Sequence, residues 1–402
     1  MISVAEARER ILALVNPLPA EPAPLSGAWH RYVAQAIPSP LDLPAFDNSA
    51  MDGYAVQAGD VADACPEHPV RLALAGQIPA GSDGEVSLQS GQCARIFTGS
   101  AIPPGADAVA IQEDTRVDPE DPGAIAICER VSAGENIRRR GRDVSQGAVV
   151  ASPGQRLTVG RLSLLSALGI FQVAVGRRPR LALLSTGNEL VEAGQTLRPG
   201  QIYESNRLGL AAAARLAGGE PVIHPLVPDR LEATREALDR ALRECDGVIS
   251  TGGVSVGDHD WARSAFESLG GQIRFWKVAV KPGMPFALGT FQDRLWFGLP
   301  GNPASALVTF ALFVRPAILR WQGAAQWELP AQTAVLAEPV ANPGDRPHFL
   351  RVVVDGANHV HVPGLQASHA LRSFAEANAL LELPPGAAWP AGTAVRILIW
   401  PE

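Results

Sequence analysis

The sequence predicts a multidomain chain of class α/β plus β, and three observations carry that prediction. Its 402 residues exceed the roughly 150 of a typical domain. Beyond Arg177, strand-like and helix-like runs alternate, the pattern of a parallel sheet with helices on both faces, a three-layer α/β domain. On either side of that stretch lie short β-type runs separated by Gly- and Pro-rich turns, in a chain holding 39 glycines and 34 prolines. The plan that follows is a discontinuous N-terminal linker or helical domain over residues 1–45 and 140–177 and an inserted small β domain over 46–139. The α/β domain then spans 178–326 and a C-terminal β-barrel-like domain 327–402.

Taken in order, MISVAEARERILALV interleaves charged and apolar residues at helical spacing, unlike the basic segment and pure apolar core of a signal peptide. An amphipathic helix is expected from Met1 to about Val15, and a second around Gly27 to Ala36 after a Pro-rich passage. VRLALAG, ARIFTG and AIAICERV are short strands of the inserted domain, divided by PAGSDG, PPGAD and DPEDPG turns. LTVGRLSLLSALGI sets Leu162, Leu165 and Leu168 at helical spacing; this helix reads as the partner of the N-terminal ones, which makes the β domain an insertion. Then come strand RLALLSTG, helix RLGLAAAARLAG, strand EPVIHPLVPD, helix RLEATREALDRALREC, strand DGVISTGG, helix WARSAFESLG and strand IRFWKVAV. A strand pair and a long apolar helix from Ala304 close the α/β domain, and TAVLAEPV, FLRVVVDG, ALLELP and AVRILIW form the last one.

Charge narrows the function classes. A formal net charge of -7 with 19% charged residues argues against broad binding to nucleic acid or to an anionic membrane. The apolar stretch Ala304 to Leu319 is broken by Arg315 and Pro316 and falls short of the roughly 20 residues a bilayer span needs. Cys65, Cys93, Cys128 and Cys245 lie far apart with no C-x-x-C, so neither a zinc site nor a disulfide framework is indicated, and a reducing cytoplasm is the expected compartment. One imbalance stands out: of 34 basic residues, only Lys277 and Lys281 are lysines. Arg serves equally well as a solvated surface charge, so lysines kept at two positions four apart are expected where a compact ammonium is wanted.

Ligands of such sheets bind beyond the carboxyl ends of the strands, and there the polar and Gly-rich residues gather. The ends carry Ser185, Thr186, Gly187, Asn188 and Glu189; Asp229; Thr251, Gly252, Gly253, Ser255, Gly257, His259 and Asp260; Lys281; and Pro300, Gly301, Asn302, Pro303 and Ser305. Each has a plainer reading alone: TGGVSVG lacks the spacing of a P-loop, and Asp229 and Asp260 are placed to cap helices. Convergence of five strand ends lifts the set, because Gly-rich turns let backbone N–H groups approach an anion. Glu189, Asp229 and Asp260 suit a hard divalent cation, magnesium rather than zinc, with substrate oxygens completing its shell. Lys277 and Lys281, at i and i+4 of a strand, are expected on one face with an oxyanion between them. In the inserted domain, FDNSAMDGYAV and FTGSAIPPGADAV combine acids and hydroxyls with turn glycines; Asp47, Asn48 and Asp52 there have the plainer reading of Asx-turn residues. The run Arg138, Arg139, Arg140, Arg142 reads first as a solvated face or linker.

These words, with STGNEL, STGGVSVGDHD, FWKVAVKPGMPFALG, GLPGNPASAL and LRSFAEANALLELP, resemble the MoeA-type molybdopterin molybdenumtransferases, the family that includes the E domain of gephyrin. The resemblance spans nearly the whole chain in the same order. It implies insertion of molybdate into adenylylated molybdopterin with release of AMP, in a magnesium-dependent step. It also implies an elongated homodimer in which the inserted β domain of one chain covers the α/β cleft of the other, with transient contact to the molybdopterin adenylyltransferase and to cofactor-accepting enzymes. Carried over by motif, Asp52, Thr98, Asp143, Glu189, Asp229, Asp260, Lys277 and Lys281 match the family's catalytic positions, with Glu189, Asp229 and Asp260 toward the metal. Pro300, Gly301, Asn302, Pro303 and Ser305 match the loop beside the oxyanion, and Arg351 and Ser373 resemble positions facing the cleft. Arg142 and Asn188 depart from the pattern, where the family often has acids. Rival readings are an adenylyltransferase or nucleotide hydrolase acting on a pterin nucleotide, a scaffold protein retaining the fold, and tungstate in place of molybdate.

Overall fold

A computed structural model describes residues 1–82, 86–118, 121–253 and 261–400. The chain divides into two compact units. One comprises Ala36–Ser152 with Val159–Phe171; the other comprises Met1–Gln35, Pro153–Thr158 and Gln172–Glu402.

The first unit is built on a six-stranded sheet in the order Ala108–Ile111, Gly53–Val56, Gln92–Ile96, Val70–Ile78, Ala124–Ile127, Thr115–Val117. Its strands alternate buried side chains toward two small cores, one around Val56, Leu72 and Ile127 and the other around Ala55, Ile96 and Val109. Gly53 is required by close packing, since a Cβ there would lie 2.0 Å from the Ala110 carbonyl oxygen. The helix Val159–Ala167 belongs to this unit.

The second unit centres on a mixed sheet of six strands: β1 (Arg180–Ser185), β2 (Glu220–Ile223), β3 (Gly247–Thr251), β4 (Gln272–Trp276), β5 (Ala287–Phe291) and β6 (Arg294–Leu299), ordered β2-β1-β3-β6-β5-β4. The β2, β1, β3 and β6 strands are parallel, while β5 runs against both neighbours, so the sheet is not wholly parallel as the alternating pattern implied. A short turn, Gln292–Asp293, is all that joins β5 to β6, too short for the helical crossover that parallel strands require.

Helices α1 (Val4–Leu14), α2 (Asn206–Leu216), α3 (Leu231–Glu244), α4 (Trp261–Ser268) and α5 (Pro303–Trp321) cover the sheet. Two-residue alternation decides which face each strand residue serves. Leu181, Leu183, Ile249 and Phe297 pack with Leu210 of α2 and Phe310, Phe313 and Ile318 of α5. Ala182, Leu184, Val248 and Trp296 pack with Leu238 and Leu242 of α3 and Phe266 of α4. Gly289 leaves room for Phe266, whose ring stacks 4.8 Å from Trp296; a Cβ at Gly289 would meet that ring at 2.3 Å. The α5 helix is apolar over 19 residues, and 83% of its most apolar window is buried against the sheet and α1. It carries a π-helical turn at Phe310–Val314.

A closed barrel of Ala331–Leu336, His359–His361, His348–Val354, Ala379–Leu383 and Ala394–Ile399 completes the unit, as the final β-type runs predicted. Two expectations fail at the N-terminal side. Residues 27–36 form no helix beyond the turn Leu25–Gly27, because His30 and Val33 donate to the carbonyls of Leu157 and Gln155 and hold the chain extended. The Val159–Ala167 helix lies in a different compact unit from α1, which packs on α5 instead.

Candidate functional site

The carboxyl ends of β1, β3 and β6 stand side by side, and a cleft of ≈ 530 Å³ opens beyond them. Nine residues expected there line it: Thr186, Glu189, Thr251, Gly252, Gly253, Pro300, Gly301, Asn302 and Pro303. Gly252 is indispensable twice over, with φ = 85° and a Cβ position 2.6 Å from the Thr186 carbonyl oxygen. At Gly187 a Cβ would fall 2.7 Å from a Glu189 carboxylate oxygen. Ser185 is buried beneath the cleft, its hydroxyl 2.8 Å from that of Thr251 and donating to Glu204 at 2.9 Å. The Thr186 hydroxyl and the Asn206 side-chain oxygen are buried without a hydrogen-bond partner among the described residues, behind two residues that line the cleft.

The residue arrangement also includes members that motif reading overlooked. Glu204 lines the cleft although only 8% exposed; its carboxylate accepts from the N–H groups of Asn206 and Arg207, at 2.8 and 2.9 Å, and from the Arg207 guanidinium at 3.1 Å. Arg207 in turn donates to Glu192 at 2.7 Å and to the His224 carbonyl. A carboxylate two residues ahead of a helix with Arg at i+3, in YESNR, was the available signal. Asn206 donates to the Gly301 carbonyl at 2.8 Å, tying α2 to the β6 loop. His369, from the barrel segment, lines the cleft as well.

In the other unit the two motif loops meet. Asn48 and Ala101 form a β-bridge, and across the same loops the Ser49 N–H donates to the Ser100 carbonyl while the Ser49 carbonyl accepts from Gly99. Asp52 accepts both the backbone N–H and the hydroxyl of Thr98, at 2.7 and 2.9 Å. Those two bonds, the backbone one first, hold its carboxyl below the usual carboxylate range. Asp143 lines a hollow of ≈ 470 Å³ with Leu43, Pro44, Arg138 and Arg142. Arg139 and Arg140 are engaged elsewhere, bound to Asp47 and Asp42 at 2.6 Å each.

Three family descriptions match the chain end to end: the MoeA N-terminal region (domain I and II) over residues 2–169, the probable molybdopterin binding domain over 182–320, and the MoeA C-terminal region (domain IV) over 333–400. The molybdopterin molybdenumtransferase of Haemophilus influenzae is 38% identical over 389 residues, 95% of this chain and 94% of that protein. The chain belongs to the MoeA family of molybdopterin molybdenumtransferases. A Bacillus subtilis molybdopterin molybdenumtransferase is 36% identical over 403 residues, 99% of this chain and 94% of that one. The crystal structure of the molybdopterin biosynthesis MoeA protein of Pyrococcus horikoshii OT3 superposes with a TM-score of 0.87 at 30% identity, covering 100% of both chains. The family resemblance and the multidomain α/β plus β architecture both stand.

Several MoeA-type positions sit otherwise than expected. Lys277 and Lys281 do not share a strand face. The β4 strand ends at Trp276 because its partner ladder runs out at Ala287, and Lys277 then takes φ = 67°. Its N–H donates to Phe286 at 3.0 Å, and its ammonium lies 4.2 Å from the Trp276 ring centroid, a cation–π contact. Exposed Lys281 follows four residues on in the same connection between β4 and β5, donating to the Pro347 carbonyl and accepting from Phe349 at 2.9 and 2.7 Å. Among the described residues neither lysine lines the cleft. Arg351 and Ser373 do not line it either: they are 0% and 1% exposed, and the guanidinium donates to the Ser373 hydroxyl at 3.1 Å. A full-length arginine seated in the barrel finds its partners inside it. Ser305 is 3% exposed. Ser255, Gly257, His259 and Asp260 lie outside the described residues.

For a divalent cation the donor set is open rather than caged. Among the described residues no three His, Cys, Asp or Glu converge. Asp229 is linked to Asn188, accepting its N–H at 3.2 Å while its own N–H donates to the Asn188 side chain at 3.1 Å. Glu204 is spent on Arg207 and helix N–H groups, which leaves Glu189 as the exposed carboxylate at the cleft. That set fits an ion completed by substrate oxygens and does not fit a closed protein site.

Proposed function

We propose that this MoeA-family chain inserts molybdate into adenylylated molybdopterin and releases AMP, in a magnesium-dependent reaction in the cytoplasm. The observation that carries the reading is the cleft itself. It is a Gly-rich hollow at the carboxyl rim of an α/β sheet, with Glu189 as the exposed carboxylate among its described lining residues.

Gly252 and Gly253 let the substrate approach main-chain N–H groups without side-chain obstruction. Thr186 and Asn206 line a wall kept rigid by Ser185, Thr251 and Glu204, against which the polar edge of a pterin would lie. Glu189 and Asp229 would hold magnesium together with substrate oxygens, and the bound ion would offset phosphate charge on departing AMP. Lys277 and Lys281 supply separate cations near the rim for the incoming oxyanion. Asp52, Thr98 and Asp143 complete the site in a homodimer, each inserted β domain serving the partner's cleft; the exposed, hydroxyl-anchored Asp52 supports that role. The adenylyltransferase of the pterin is the expected supplier of substrate, and cofactor-accepting enzymes the recipients. Four cysteines without a disulfide are in keeping with a reducing compartment.

The test is incubation of the protein with adenylylated molybdopterin, magnesium and molybdate or tungstate, following AMP and metal-loaded cofactor together. AMP release that requires the oxyanion and matches cofactor formed is the expected result. Release independent of oxyanion would identify a nucleotide hydrolase instead, and the more effective of the two oxyanions names the metal.

A further inference from the structure

The N-terminus of α5 carries the Gly-Asn-Pro turn expected to cradle an anion, yet its amides are occupied. Ala304 and Ser305 donate to the Ser368 carbonyl at 3.1 and 3.3 Å, and Asn302 donates to the Ser368 hydroxyl at 3.1 Å. The strand-to-helix segment 365–370 is clamped from its other side by buried Arg351, which donates to the carbonyls of Leu365, Gln366 and Ala367 at 3.2, 3.4 and 3.0 Å. Gln366 closes the clamp by exchanging hydrogen bonds with the Arg351 main chain, at 2.9 and 3.1 Å. A strap held at so many points fixes the next residue, His369, whose exposed side chain lines the cleft.

Charge makes that placement matter. Among the described lining residues two are carboxylates, Glu189 and Glu204, and the one basic side chain is that of His369. An anionic substrate entering there meets no Lys or Arg on the described wall, and the helix amides are already bound.

We propose that His369 is a substrate-binding residue that donates a hydrogen bond to an anionic oxygen in the cleft, either the phosphate of the pterin nucleotide or the oxyanion. The inference rests on the functional reading above. The strap carries the imidazole to the position that the capped helix end has given up, and Arg351 acts through the strap as a positioning residue. Charge-assisted hydrogen bonds are the stronger class, so loss of this one is read directly as affinity.

The test is equilibrium binding of AMP and of inorganic molybdate, titrated separately, to the full chain and to His369→Ala, His369→Gln and His369→Arg, alongside thermal melting of each. About tenfold weaker binding of one anion by His369→Ala is expected, with an intermediate value for His369→Gln and recovery in His369→Arg, all at an unchanged melting midpoint. The anion affected identifies which oxygen the imidazole contacts. Binding unchanged in all three variants overturns the proposal while leaving the functional reading intact. Weakening that His369→Arg fails to restore, or that tracks a fall in the midpoint, makes His369 structural and also overturns it. Failure of the unmodified chain to bind either anion overturns both this proposal and the functional reading.

Discussion

Glu204 and Asp52 are each held by a hydroxyl and by backbone N–H groups, yet they stand at opposite ends of a scale of burial. The Glu204 side chain is 3% exposed and meets a guanidinium, a serine hydroxyl and two amides. Asp52 lies in solvent with Thr98 alone. A carboxylate saturated by donors in a dry setting has little capacity left for a ligand and a large role in holding the wall together. One with a single anchor keeps its second oxygen for chemistry. Glu204 is thus an architectural acid, whereas Asp52 keeps an oxygen without a protein partner among the described residues.

That division can be broken by substitution. Replacing Glu204 with Ala takes from Arg207 the buried one of its two carboxylate partners, and loss of one partner of a buried pair costs about 3–5 kcal/mol, so urea unfolding should show a drop of that size. A loss below about 1 kcal/mol would erase the contrast with Asp52. Next in size, Glu189→Gln should lower AMP release on the order of a hundredfold while stability stays within about 0.5 kcal/mol, as expected of an exposed group.

A pH effect sharpens the comparison from the barrel side. Burial first, then Lys281 and Arg351, pushes the His348 imidazole down to about 4 from 6.5. Its folded state resists protonation, so the stability it provides is complete above 6.5 and is lost as pH falls toward 4, on the order of 3 kcal/mol in all. Denaturant titrations between those limits should flatten in His348→Gln. Smallest is the coupling of the two lysines. Because each is fixed by separate backbone partners, Lys277 by Phe286 and Lys281 by Pro347 and Phe349, activation penalties of Lys277→Ala and Lys281→Ala should add within about 0.5 kcal/mol in the double variant. Strong non-additivity would return them to a shared seat.

How much of this was written in the residues depends on distance along the chain. RLALLS was legible as a strand from its apolar run, and alternation along it then sends Leu183 and Leu184 to opposite cores because both of its faces are covered. Motif loops fell at the rim where strand-end reasoning put them, and Asp52 met Thr98 across 46 positions. Lysine register failed for a reason invisible locally: IRFWKVAV continues to alternate after its ladder partner has ended. His369 and Glu204 escaped because neither belongs to a Gly-rich turn; one depends on a carbonyl cap donated from a different module, the other on an arginine one helical turn away.

The Ser368 cap also orders events in time. A ribosome delivers the whole α/β sheet and the first turn of α5 more than 60 residues before it delivers Ser368, and chains fold roughly in the order they emerge. Until then the first amides of α5 have only water, and the wall that carries His369 does not exist. The binding cleft is thus among the last parts of this protein to be finished, and a nascent chain lacking the barrel holds the sheet without the complete pocket.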